Sequence, residues 1–138
     1  MEKLVPFTIN DLAKVTNFRS GEVKFGEKML TVPKNTKASE YLNSCDAKYV
    51  LFWILEDIGV RANYGRTGAA TAWESAIKSI ANIQHNRFCK GNQLLVLGQL
   101  NVAEEMAESQ HLDFNSDNDR KRLNQLVIKI DKEVSHIV

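Results

Sequence analysis

The chain has 138 residues, of which 43% are hydrophobic and 25% charged, with 18 Lys+Arg against 17 Asp+Glu for a net charge of +1. That length fits one domain able to bury roughly 68% of its unfolded surface, and the composition excludes a disordered acidic tail, a collagen and a low-complexity segment. The balanced charge builds no strong global field, so neither nucleic acid nor a membrane surface is expected as a partner.

Met1–Pro6 lacks a basic stretch leading into an apolar run, so no signal peptide is expected. Thr8-Ile9-Asn10-Asp11 has the form of a capping box and opens a short helix ending at Lys14 or Val15. Gly21 and Gly26 punctuate Glu22–Phe25, a short strand or an irregular segment, and a second short helix covers Lys37–Leu42. Lys48–Leu55 is continuously apolar, β-branched and aromatic, which predicts a strand buried on both faces of a parallel sheet. A loop with Gly59, Gly65 and Gly68 follows. Ala69, Ala72, Trp73, Ala76, Ile77, Ile80 and Ile83 then recur at helical spacing. Leu94–Leu97 is a second buried strand, stopped at Gly98. Strand, helix and strand form a βαβ unit, expected to be parallel and right-handed.

Asn101–Gln110 begins another helix, and His111–Asp119 is a polar loop. Ser116 caps a long last helix with the stripe Leu123, Leu126, Val127, Ile130, Val134 and Ile137, a face suited to covering a sheet. The fold class expected is α/β, a partial three-layer α/β/α sandwich with parallel strands. The organisation expected is a single, incomplete domain: 1–47 as lead-in, 48–98 as the βαβ unit, 99–138 as loop and helix. Its open edges and uncovered apolar surface predict self-association.

Chemistry-bearing residues concentrate in Glu56–Ala70, where the chain leaves the carboxyl end of a strand and enters a helix. Open α/β sheets place ligands there. Glu56, Asp57, Arg61, Asn63 and Arg66 lie within eleven residues, with Gly59, Gly65 and Gly68 interleaved. The arginines suit a carboxylate gripped by paired hydrogen bonds. Alternatively, the glycines only permit tight turns and the charges are solvated or paired with each other. Neither a dinucleotide fingerprint nor a Walker motif is present.

The remaining candidates are weaker. His85 and Cys89 share a helical face but lack further metal ligands. His111 and Asp113 sit in a polar loop, His136 lies in the last turn, and Ser44 and Ser75 have no neighbouring base. Arg120-Lys121-Arg122 reads as a solvated face. Cys45 and Cys89 form no disulfide framework and suit a reducing compartment, and the longest apolar runs are too short to span a bilayer. The expected location is cytoplasmic.

The run Glu56-Asp57-Ile58-Gly59-Val60-Arg61-Ala62-Asn63, with Gly65-Arg66, Gly68-Ala69 and Trp73, resembles the N-terminal part of the arginase/ureohydrolase superfamily, and its formimidoylglutamase-like members in particular. Asn82-Ile83-Gln84-x-Asn86, Leu95-Val96-Leu97-Gly98 and Arg19–Glu27 resemble further blocks of that group, in the same order. Trp53-Ile54-Leu55 stands where the group has Gly-Ile-Pro, which puts the close backbone approach at the strand end in doubt. The resemblance implies a manganese-dependent hydrolase of C–N bonds in amidine or guanidino substrates. The family's metal-binding Gly-Gly-x-His, Asp-Ala-His-x-Asp and Asp-x-Asp segments are absent from this sequence. No catalytic or metal residue therefore carries over, and no cofactor is expected on this chain although the family binds Mn2+. The loop does carry over, with Arg61, Asn63 and Arg66 expected near the substrate entrance. The rival reading is a stand-alone, non-enzymatic α/β binding or assembly module that kept the scaffold.

Overall fold

The structure, a computed structural model, describes residues 3–137. The strands are β1 (Leu4–Pro6), β2 (Leu30–Thr31), β3 (Tyr49–Ile54) and β4 (Leu94–Leu100). The helices are α1 (Ile9–Val15), α2 (Ala38–Ser44), α3 (Ile58–Ala62), α4 (Ala72–Ala81), α5 (Ala103–Ser109) and α6 (Asp117–Val134). The protein is thus of mixed α and β content. In the sheet, β4 pairs with each of the other three strands. A strand has two hydrogen-bonding edges, so two of those partners share one edge, which the brevity of β1 and β2 allows. β2 runs parallel to β4, with Leu30 opposite Leu95 and Thr31 opposite Val96. The sheet as a whole is mixed rather than all parallel.

The chain forms two compact units. The first comprises Val5–Trp53 and Trp73–Gln99 and holds most of the sheet. The Thr8 capping box forms as expected, with the hydroxyl accepting from the Asp11 N–H and Asp11 answering to the Thr8 N–H. This starts α1, whose Leu12 enters a core with Phe25, Met29, Ile77, Ala81 and Val96. Trp53 closes the end of β3 with a cluster of aromatic rings. Its ring stacks on Trp73 at 3.5 Å and 11°, Phe7 meets both edge-on, and its Nε1 donates to Gln99 Oε1. Asn82 clips the ends of α1 and α4 together, accepting from the Asn17 N–H at 2.7 Å and donating to the Val15 and Lys78 carbonyls.

Several expectations change here. β3 is not buried on both faces, because Tyr49 is 65% and Val50 46% exposed and the rest of the strand is half-buried. The two-sided burial falls on β4, whose consecutive residues Leu95, Val96 and Leu97 are fully enclosed. β4 also runs through Gly98 to Leu100 instead of stopping. Gly98 has φ +140, and a Cβ there would lie 2.8 Å from the Pro6 Cα, so glycine is needed where β1 crosses closely. The predicted Ala69–Ile83 helix splits into a 3-10 turn at Ala69–Thr71 and α4, leaving Ile83 exposed. Glu22–Phe25 is neither a full strand nor a coil, but touches Gln84 through a single bridge at Lys24.

The second unit comprises the described residues of Met1–Leu4, Ile54–Ala72 and Leu100–Val138. Ser116 caps α6 by accepting from the Asp119 N–H. Leu123, Leu126 and Ile130 of α6 bury against Ile58, Leu100 and Val102, with Val127, Val134 and Ile137 alongside. Each such side chain contributes about 1.5–3 kcal/mol. α6 packs chiefly on α3, with α5 beside it, and meets the strands at their end residues Leu100 and Ile54. Its stripe is apolar as expected, but periodicity does not specify what the stripe meets.

Candidate functional site

The Glu56–Ala70 segment folds as a closed turn held by its own carboxylates. Asp57 precedes α3, and its Oδ1 accepts from the Gly68 N–H at 2.9 Å and the Ala70 N–H at 3.3 Å. One carboxylate thus joins the two ends of the loop. Glu56 turns back to accept from the Gly59 N–H at 2.8 Å, satisfying an orphan donor in the first turn of α3. Asn63 closes the other end of the helix, its Nδ2 donating to the Gly59 carbonyl. Tyr64 holds a left-handed φ of +59, with its ring edge-on to Phe114 and the Arg120 guanidinium 5.2 Å above it. At Gly65 the backbone N–H returns to the Val60 carbonyl at 2.7 Å, and a Cβ would fall 2.7 Å from Val60 Cγ1. Gly68 takes φ +135.

The two arginines have different environments. Arg61 reaches across to donate to the backbone carbonyls of Ser109 and Leu112, at and just beyond the end of α5. A guanidinium at a helix C-terminus satisfies orphan carbonyls and meets the negative end of the dipole. Arg61 is therefore engaged with the scaffold through both of its terminal nitrogens. Arg66 is exposed and has no hydrogen-bond or ion-pair partner among the described residues. The acids are committed too. Both are half-buried and accept from backbone N–H groups, and neither is ion-paired with an arginine among the described residues.

The structure disperses the other candidates. His85 Nδ1 accepts from the Gly91 N–H, and Asn86 turns the chain beside the half-buried Cys89. Ser44 donates to carbonyls of its own helix, and Ser75, His111 and His136 are exposed. Arg120 pairs with Asp117, and Arg122 with Glu108. This last pairing holds the Glu108 carboxyl below its ordinary range and raises Arg122. Among the described residues, no group of three or more His, Cys, Asp or Glu is placed to hold a metal ion, so these residues do not fit a manganese pair. No described helix is long and apolar enough to cross a membrane.

Sequence reasoning missed Glu105. Its side chain is 2% exposed, and its Oε1 accepts from Lys3 at 2.9 Å and Lys129 at 2.7 Å. Burial pushes the carboxyl up, but the hydrogen bonds from Lys129 and Lys3 outweigh it and hold it down at about 2. Oε2 is buried and unpartnered. The only local signal is an acid on the inward face of α5. Lys3 lies 102 positions away.

Comparison with known proteins found no family model that matches the chain, and no curated protein or solved structure similar to it.

Proposed function

We propose that the chain is the N-terminal part of a C–N hydrolase of the ureohydrolase kind, inactive by itself, whose Glu56–Ala70 turn presents Arg66 to the carboxylate of an amidine or guanidino substrate. The observation that carries this reading is the division of labour inside the turn. Asp57, Glu56 and Arg61 are consumed in holding its shape, while Arg66 projects from it unpaired. A preset turn bearing one free guanidinium suits anion capture, because little ordering remains when the ligand arrives. Manganese belongs to this proposal only through the resemblance, and no hydrolytic step is derived from these residues.

The test pairs calorimetry with an activity assay. Formimidoylglutamate, arginine and agmatine are offered to the purified chain with Mn2+, and no turnover is expected. Formimidoylglutamate is expected to bind weakly, in the millimolar range, and to lose at least fivefold in affinity with Arg66→Ala. Turnover, or equal binding by wild type and Arg66→Ala, refutes the proposal. A second reading, a non-enzymatic α/β assembly module, is favoured by the unpaired edge of β3.

A further inference from the structure

Two segments far apart in sequence meet along one rim of the sheet-bearing unit. Asn82 Oδ1 accepts from the Asn17 N–H at 2.7 Å, the Phe25 N–H donates to the Ile83 carbonyl at 2.7 Å, and the His85 N–H donates to the Val23 carbonyl at 2.8 Å. With the antiparallel bridge of Lys24 to Gln84, these bonds lay residues 17–28 beside residues 82–91. Val23 and Ile83 are thereby diagonal neighbours across the pair, yet they are 39% and 47% exposed. Phe18, next to the clipped Asn17, is 64% exposed, and Phe88 is 84% exposed. The Phe88 ring is held out in water by a closed turn. Asn86 Oδ1 accepts from the N–H groups of Phe88 and Cys89, and the Asn86 N–H donates to the Cys89 carbonyl. Single exposed apolar residues are ordinary, whereas several brought together mark an interaction surface.

Charge indicates what that surface meets. With His85 counted neutral, the two segments carry Arg19, Lys24, Lys28, Arg87 and Lys90 against Glu22 and Glu27, a surplus of three cations in a chain whose net charge is +1. The near balance of the whole chain conceals this local surplus. Lys24 engages both acids, Glu22 through its ammonium at 2.6 Å and Glu27 through its backbone N–H at 2.8 Å. Arg19, Lys28, Arg87 and Lys90 are exposed and make no ion pair among the described residues. The Arg87 guanidinium lies over the Phe88 ring, 4.5 Å from its centroid. It occupies one face of the ring, and Val23 and Ile83 have no flat face to offer, so the rim is poorly suited to stacking bases. A projecting ring with a cation along it suits a lipid headgroup layer, where the ring enters the acyl boundary and the guanidinium stays with the phosphates.

We propose that this rim docks the protein on an anionic bilayer surface, with Phe18 and Phe88 entering the headgroup boundary and Arg19, Lys28, Arg87 and Lys90 meeting the anionic headgroups. A few basic residues and a few apolar ones each give only weak attachment, so docking is reversible, needs both and is screened by salt.

Flotation of the full chain with phosphatidylcholine vesicles, with and without about 30% phosphatidylserine, tests this at about 0.1 M salt. Circular dichroism confirms each fold. Wild type is expected to partition at least tenfold more strongly to the anionic vesicles and to be released at about 0.5 M salt. Phe88→Ala is expected to weaken binding at least fivefold, and the double variant Arg87→Glu, Lys90→Glu at least tenfold. These side chains are exposed, so the fold is expected to persist. Phe18→Ala, with the same expected loss, decides the matter if Phe88→Ala fails to fold. Phe88→Trp reads depth. Brominated lipid is expected to quench the emission added at position 88 and to leave that of Trp53 and Trp73, stacked on each other against the core, unchanged. No binding to anionic vesicles, equal binding to neutral ones, or indifference to the apolar and charge variants overturns the proposal. Preference for a single-stranded oligonucleotide or an acidic peptide over the vesicles overturns it as well. The variants lie outside the Glu56–Ala70 turn, so the outcome stands apart from that of the binding test on Arg66.

Discussion

Replacing Arg61 by alanine separates a scaffold arginine from a ligand-gripping one. The guanidinium donates to the carbonyls of Ser109 and Leu112, and Ser109 is 2% exposed. A hydrogen bond from a charged donor contributes about 1.5–3 kcal/mol net, and a carbonyl left buried without a partner costs a similar amount. Arg61 is half-buried, so water reaches part of the site and the low end applies to each bond. Arg61→Ala is therefore expected to destabilise the protein by about 3 kcal/mol, a large share of the 5–15 kcal/mol typical of a domain. Arg61→Lys supplies a point ammonium in place of the planar fork and is expected to lose about half as much. Arg66→Ala, which removes an exposed and unpaired side chain, is expected to stay within about 0.5 kcal/mol of wild type. Urea denaturation followed by far-ultraviolet circular dichroism ranks the three variants. Equal stabilities for Arg61→Ala and wild type, or equal losses at Arg61 and Arg66, would refute the assignment.

Acid should weaken the unit that contains Glu105. Its carboxyl sits near 2 in the folded protein against 4.5 in the unfolded chain, so its contribution is complete above about pH 4.5 and fades as pH falls toward 2. The shift corresponds to about 3 kcal/mol at most, reduced because Lys129 is half exposed. Urea melts of wild type and Glu105→Gln at a series of pH values should converge through that window, and parallel curves would sink the idea. Gly98→Ala forces a Cβ against β1 at a positive φ and is expected to cost more than 3 kcal/mol, read as a fall in the thermal midpoint. Trp73→Ala removes the ring stacked on Trp53 and should cost about 3–5 kcal/mol, with a matching change in near-ultraviolet dichroism.

The local signals in the sequence proved legible. The Thr8 and Ser116 caps lie where the residue types placed them, and the α6 stripe is the buried face. Such features depend on neighbours within four positions, which a single sequence displays. What it concealed depends on distant partners. The β3 run is as apolar as β4, yet only β4 has strands on both edges and side chains enclosed on both faces. Composition marks a strand, whereas burial depends on what is stacked around it. The charged loop was found, but the roles inside it were not. Arg61 looks like a ligand clamp until Ser109 and Leu112, about fifty residues later, arrive beneath it. Glu105 was marked only as an acid on the inward face of α5, because both its lysines are remote in the chain.

The threading of the chain has a consequence for synthesis. All residues of the sheet-bearing unit lie between Val5 and Gln99, whereas the other unit needs the first residues, a middle segment and the last third. A ribosome releases the chain from its N-terminus at about 5–20 residues per second. The sheet-bearing unit is thus fully synthesised before α5 and α6 are made. During that interval Ile58, wholly enclosed in the finished protein, has none of its α6 neighbours, and Lys3 must wait for a partner 102 positions downstream. Segments made early are thus among the last to be fastened, and α3 passes through a period as exposed grease that chaperones are suited to cover.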